Sequence, residues 1–156
     1  VHFIMVAVLI VFDQLSKLWV VATYPLRGPG QYVGLGFYFT YEQNTGAAFS
    51  IFRGNPTVLG IISAVVASAI LSYLVLRGKT ISTLQRYALA SILAGAIGNM
   101  IDRFRLGYVV DFIHFKIPNF SFAVFNIADS CVVIGAILLI GSSLFQRREK
   151  GEGRRE

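Results

Sequence analysis

"VVDFIHFKIPNFSFAVFNIADS", residues 109–130, is aromatic, β-branched and apolar, yet an aspartate stands near each end, Asp111 and Asp129. Isolated carboxylates in such surroundings are costly, so their placement needs a structural reason. Between Asp111 and Asn126 the side chains alternate. Ile113, Phe115 and Ile117 fall on one side and Phe112, His114 and Lys116 on the other, as in a strand. Pro118-Asn119 reads as a turn and "FSFAVF" as a second strand. A hairpin about that turn pairs Ile117 with Phe120, sets Asp111 opposite Asn126, and leaves Asp129 one helical turn further on. A one-residue slip would change the pairing without separating the ends. Two carboxylates brought that close cannot both ionise readily, so one keeps a proton. Such a pair is equipped for general acid–base hydrolysis: one member takes a proton from water and the other donates to a carbonyl oxygen.

The surroundings of this hairpin are those of a membrane protein. The chain has 156 residues, room for one domain, and is 55% hydrophobic with only 14% charged residues, against about a quarter charged in soluble domains. Four apolar segments, about residues 3–24, 57–76, 84–104 and 126–145, are near the length of about 20 residues that a transmembrane helix needs. They make residues 1–146 a single integral membrane domain, followed by a charged tail at 147–156. The first segment lacks a basic leader and carries Lys17 in its second half, so it reads as a retained span rather than a cleaved signal peptide. Val1 is no initiator methionine, and residues are expected to precede it. The loops at about 25–56 and 105–125, rich in aromatics and glycine, read as strands and a short surface helix at the membrane interface.

Net charge is +6, but its distribution argues against nucleic acid. Eight Lys/Arg lie in the second-to-third connection and the tail; the other two loops hold four, Arg27, Arg53, Arg105 and Lys116. The positive-inside rule then puts both termini in the cytoplasm and the long loops on the opposite face. The lone Cys131 excludes an intrachain disulfide and reads as a small buried residue.

Polar residues inside the spans are few. Asp13 and Lys17, four apart, share a helix face and pair; taken alone they are a structural ion pair. Ser91, Gly95, Asn99 and Arg103 recur every four residues. The first two suit close helix packing, whereas Asn99 and Arg103, beside Asp102, are harder to explain that way. Asn126 is placed to cap the fourth helix, with Asp129 in its first turn. No Gly-rich phosphate loop, "HExxH", "GxSxG" or Cys/His pairing is present, and acidic ligands for a metal on Asp111 and Asp129 are scarce.

Five blocks carry a family resemblance: "DQLSK" at 13–17, "NTGAAFS" at 44–50, "GAIGNMIDR" at 95–103, "VVDFI" at 109–113 and "FNIADS" at 125–130. Each is weak alone, but in this order and spacing across nearly the whole chain they resemble lipoprotein signal peptidase (signal peptidase II), the bacterial intramembrane aspartyl peptidase. The resemblance implies that Asp111 and Asp129 are the catalytic dyad, needing no metal or cofactor. It implies supporting or substrate-facing roles for Asp13, Lys17, Asn44, Gly46, Asn99, Arg103, Asn126 and Ala128. It also implies four transmembrane helices with a small extracytoplasmic β-cradle and a mobile cover, in the bacterial cytoplasmic membrane. The substrates would be prolipoproteins carrying a diacylglyceryl group on the lipobox cysteine, cut just before that cysteine.

The expected partners are therefore lipid and prolipoprotein, with the peptidase a monomer. Which aspartate is the base stays open, because a coupled pair titrates as a unit. Two rivals make different demands. A proton-coupled transporter using Asp13, Asp102 and Asp129 would spread polar groups through the bilayer and show an internal repeat; here most gather at one end and no repeat is evident. A non-catalytic scaffold would need polar stripes only as helix glue.

Overall fold

The computed structural model describes residues 1–46 and 55–152. In chain order these form α1 (His2–Thr23), β1 (Gln31–Gly34), β2 (Phe37–Asn44), α2 (Pro56–Arg77), α3 (Thr83–Leu106), β3 (Val109–Ile117), β4 (Phe120–Ser121) and α4 (Ile127–Glu152). The remainder of the 44–50 motif, Arg53 and the last four tail residues lie outside the described residues. Among the described residues there is no short surface helix, and α4 runs on past the expected end at 145 into the charged tail.

Three stretches, α1, α2 and Ile127–Leu144 of α4, are long and apolar enough to cross a membrane. Helix α1 is patterned inside out. Its buried stripe holds Asp13 and Lys17 with Val6 and Val20, while Val8, Val11, Phe12 and Leu15 are each more than half exposed. A soluble amphipathic helix does the reverse, so this surface suits lipid.

Helix α3 falls short of that hydropathy because it packs against α1, α2 and α4. Its small and polar side chains, Ser91, Gly95, Gly98, Asn99 and Asp102 among them, are buried against those neighbours. A Cβ on Gly95 would run into the Ala128 carbonyl oxygen, and one on Gly98 into the Asp13 carboxylate. Ser91 Oγ donates to the Cys131 carbonyl at 2.8 Å, so the small-residue part of the stripe is the packing groove it was expected to be. Reciprocal bonds between Ser82 and Gln85 start the helix. Gly107, left-handed at φ 77°, ends it and turns the chain straight into β3.

The strands form one antiparallel sheet in the order β1-β2-β3-β4. Ile117 pairs with Phe120 as expected, and Lys116 with Ser121 follows. Asn119 takes the left-handed conformation, φ 67°, that a type II turn requires at the position after its proline. The ladder then slips by one: Ile113 faces Phe125 rather than Val124. The extra residue lies between Phe122, whose N–H donates to the Phe115 carbonyl, and Phe125, whose carbonyl accepts from the N–H groups of both Phe112 and Ile113. The two ends of the hairpin meet all the same, with Asn126 Nδ2 donating to Asp111 Oδ1 at 2.7 Å.

The longer partner of β3 is β2, from Phe37↔Phe115 to Asn44↔Val109. Between Phe39 and Glu42 the register shifts, three steps on β2 against two on β3, and Thr40 and Tyr41 are both buried there. A bulge of this kind re-aims the rest of a strand. Val20, Tyr41, Val110 and Phe112 form an apolar cluster that seats the sheet on the end of α1, helped by Trp19 packed edge-on against Tyr24 and Phe39.

Candidate active site

Asn126 is the hub, with no exposed surface. It precedes α4, and its Oδ1 accepts from the Asp129 N–H at 2.9 Å while Asp129 Oδ2 accepts from the Asn126 N–H at 3.2 Å. That reciprocal arrangement is a capping box, so the expected N-cap is present and also fixes Asp129 in rotation about the helix start. The Asn126 Nδ2 meanwhile donates to Asp111 Oδ1 at 2.7 Å, and at longer range to Asn99 Oδ1 (3.2 Å) and the Val110 carbonyl (3.3 Å). Asp111 and Asp129 thus share one anchor.

Two further asparagines complete the surroundings of the pair. Asn99 on α3 donates from Nδ2 to Asp129 Oδ1 at 2.7 Å. Asn44, at the end of the bulged β2, donates from Nδ2 to Asp111 Oδ2 at 2.9 Å, and its Oδ1 accepts from the Gly46 N–H at 2.9 Å. Burial first, and then the charge on Asp129, push the Asp111 carboxyl up to about 7, against the opposing pull of the Asn44 and Asn126 hydrogen bonds and of Lys17. A carboxyl poised there exchanges a proton near neutral pH.

Next to the pair lies a cluster of full charges. Lys17 Nζ is 2.9 Å from Asp13 Oδ2 and 2.9 Å from Asp102 Oδ2, and donates to Asn99 Oδ1 at 3.0 Å. Asp13 Oδ1 accepts from the Ala128 N–H at 2.9 Å, which joins α1 to the first turn of α4. Asp102 accepts from the Val110 N–H at 3.1 Å and from Gln14 Nε2 at 2.9 Å. Arg103 reaches the Gly46 carbonyl (3.3 Å) and the Asn99 carbonyl (3.4 Å).

All ten residues singled out in the sequence therefore meet in one hydrogen-bonded network. Two members had not been assigned to the peptidase site: Gln14, and Asp102, which had been named only as a neighbour of Asn99 and Arg103 and in the transporter relay. The signal for Asp102 was available: Gly98 and Asp102 make a second four-residue stripe beside Asn99 and Arg103, and it faces α1. Among the described residues no group of three or more His, Cys, Asp or Glu side chains is placed to hold a metal ion.

Residues 5–145 match the family model for signal peptidase (SPase) II. The chain belongs to the signal peptidase II family. It is 47% identical over 132 residues to the lipoprotein signal peptidase of Trichormus variabilis, covering 85% of this chain and 82% of that one. To the lipoprotein signal peptidase of Halothermothrix orenii it is 41% identical over 151 residues, covering 96% and 99%. Its backbone matches that of a bacterial membrane enzyme solved by the in meso method at 2.3 Å, with a TM-score of 0.86 at 31% identity over 96% of this chain and 90% of that one. The signal peptidase II match begins at Met5 and ends at Phe145, so it takes in every member of the network described above.

Proposed function

We propose that this chain cuts diacylglyceryl-modified prolipoproteins just before the lipidated cysteine, with Asp111 and Asp129 as the catalytic pair. As a member of the signal peptidase II family it is a membrane aspartic peptidase that removes signal peptides from prolipoproteins. The observation that carries the assignment of the pair is the shared anchor. Buried Asp111 and half-buried Asp129 bond to the side chain and the N–H of one residue, where a strand end meets a helix start.

In this reading the ionised carboxylate takes a proton from water as the water oxygen attacks the scissile carbonyl. The protonated one donates to the carbonyl oxygen, giving a tetrahedral diol. Collapse breaks the C–N bond, and the amine of the lipidated cysteine leaves with a proton from the dyad. Asn44, Asn99 and Asn126 hold the carboxylates, and Arg103 with the Gly46 backbone faces substrate. The lipid chains of the substrate stay in the bilayer and orient the bond. Lys17 with Asp13 and Asp102 supports the helix junction on which the pair is built.

Membrane placement follows from the same reading. Helix α3 has 24 residues, about 36 Å at 1.5 Å per residue, enough for a core of about 30 Å. Shielded by its neighbours, it serves as the fourth span despite its polar stripe. Four spans and the Lys/Arg bias put the termini in the cytoplasm of a bacterium and the sheet and carboxylate pair at the outer face.

The test is cleavage of a diacylglyceryl-modified prolipoprotein by the purified protein in lipid. Asp111→Asn and Asp129→Asn are each expected to abolish it, and a variant of either that cuts as fast as the parent sinks the assignment. If the parent itself cuts nothing in lipid, the transporter and scaffold readings return.

A further inference from the structure

We infer that the carboxylate pair is asymmetric: Asp129 is the base, held ionised by Lys17 acting through Asn99 and by the start of α4, and Asp111 carries the proton. The inference rests on the peptidase reading above and deepens it.

The three asparagines around the pair are each locked in orientation. Asn44 turns its Oδ1 to the Gly46 N–H, Asn126 to the Asp129 N–H, and Asn99 to the Lys17 ammonium. An amide oxygen committed to a donor leaves its NH2 facing the other way. Each therefore presents NH2 to a carboxylate: Asn44 and Asn126 to Asp111, Asn99 to Asp129.

What stands behind these amides differs. Behind Asn44 and Asn126 are neutral backbone N–H groups. Behind Asn99 is a buried ammonium, which polarises the amide and strengthens its bond to an anion. Asp129 also sits in the first turn of α4, where helix N–H groups favour negative charge, and accepts from the Asn126 N–H. Asp111 lies on a strand and has neither advantage. The raised Asp111 carboxyl, at about 7, agrees with a proton resident there.

The other charged groups facing the pair do not even this out. From α1, Asp13 is engaged by Lys17 and the Ala128 N–H. From α3, Asp102 is engaged by Lys17, Gln14 and the Val110 N–H. Arg103, also on α3, bonds backbone carbonyls and acts on both carboxylates. Lys17 is the cation that meets one of the pair through a single intervening side chain.

The steps then balance. Asp129 takes the proton of the attacking water as the new C–O bond forms, and Asp111 gives its proton to the carbonyl oxygen. On collapse the C–N bond breaks, the amine takes the proton now on Asp129, and a diol hydroxyl returns one to Asp111. Lys17 touches neither water nor substrate and is a positioning residue.

Infrared spectroscopy of the protonated-carboxyl C=O stretch tests this without requiring cleavage, so it stands apart from the test of the peptidase reading. In Asp129→Asn the surviving Asp111 is expected to keep its band to a pH about one unit or more higher than the surviving Asp129 does in Asp111→Asn. Coincident or reversed midpoints overturn the inference. Adding Lys17→Met to Asp111→Asn is expected to move the Asp129 midpoint up, and adding Lys17→Arg to leave it in place. An unmoved midpoint in the Met variant removes Lys17 from the account. Should that double variant not fold, the order of the two single-variant midpoints decides alone.

Discussion

Two clusters of acids are joined through Asn99, which accepts from Lys17 and donates to Asp129, and they are built on opposite plans. Asp13 and Asp102 flank the Lys17 ammonium at 2.9 Å each, so charge meets charge. Asp111 and Asp129 have no cation bonded to either of them among the described residues; their contacts are amides and a backbone N–H. Desolvation penalises both sites, but only the first offsets it with an opposite charge in direct contact. The second offsets it by retaining a proton, which is what acid–base chemistry needs. Compensation by a cation makes an acid structural, whereas compensation by neutral donors leaves it reactive.

Substitutions that preserve shape should separate the two plans most sharply. Asp111→Asn and Asp129→Asn are expected to lower cleavage by about a thousandfold or more. Each should leave the thermal unfolding midpoint in detergent or lipid unchanged or higher, because Asp129→Asn removes a negative charge and Asp111→Asn exchanges a protonated carboxyl for a neutral amide of the same shape. Lys17→Met should do the reverse. It strands two buried carboxylates, and breaking a buried pair in this way costs about 3–5 kcal/mol of stability. Should Asp111→Asn prove as destabilising as Lys17→Met, the contrast between the clusters is wrong.

A smaller effect probes how the reactive acid is held. Asn44→Ala leaves Asp111 Oδ2 without its 2.9 Å donor, while Asn126 still holds the other oxygen at 2.7 Å. Losing one partner of a buried group costs about 1–3 kcal/mol, so kcat should fall about tenfold to a hundredfold. Gln14→Ala removes a comparable bond from Asp102, but kcat should stay within about threefold, because Lys17 and the Val110 N–H remain. Equal losses in the two variants would erase the distinction between a reactive and a structural acid.

Much of this was legible in the chain because both deciding signals are local. The alternation from Phe112 to Ile117 and the Pro118-Asn119 turn announce the hairpin, and the i, i+4 spacing announces the Asp13–Lys17 pair. What was illegible is what depends on elements far apart in sequence. The β2–β3 pairing that brings Asn44 to Asp111 spans 67 positions and passes through a bulge that alternation does not foretell. Asp102 was named only beside Asn99 and Arg103 and in the transporter relay, because its partners Lys17 and Gln14 lie on another helix and the short Gly98–Asp102 stripe does not say which helix it faces. Only the motif resemblance reached Asn44 and Gly46.

The finest comparison is through pH. Asp111 titrates at about 7 in the folded protein against 3.8 as its ordinary value, so between those values the folded state binds a proton that the unfolded chain has released. Its contribution to stability is therefore complete below the lower value, falls as pH rises, and is lost through about 7. The unfolding midpoint of the parent protein should decline across that window, and in Asp111→Asn the decline should be shallower by the amount that one proton accounts for. Cleavage should fall along the same upper limb, because the donor to the carbonyl oxygen loses its proton there. If Asp111→Asn keeps the full slope, the titrating group belongs to the charged cluster instead. The plan of neutral donors around a retained proton would then have to be abandoned for Asp111.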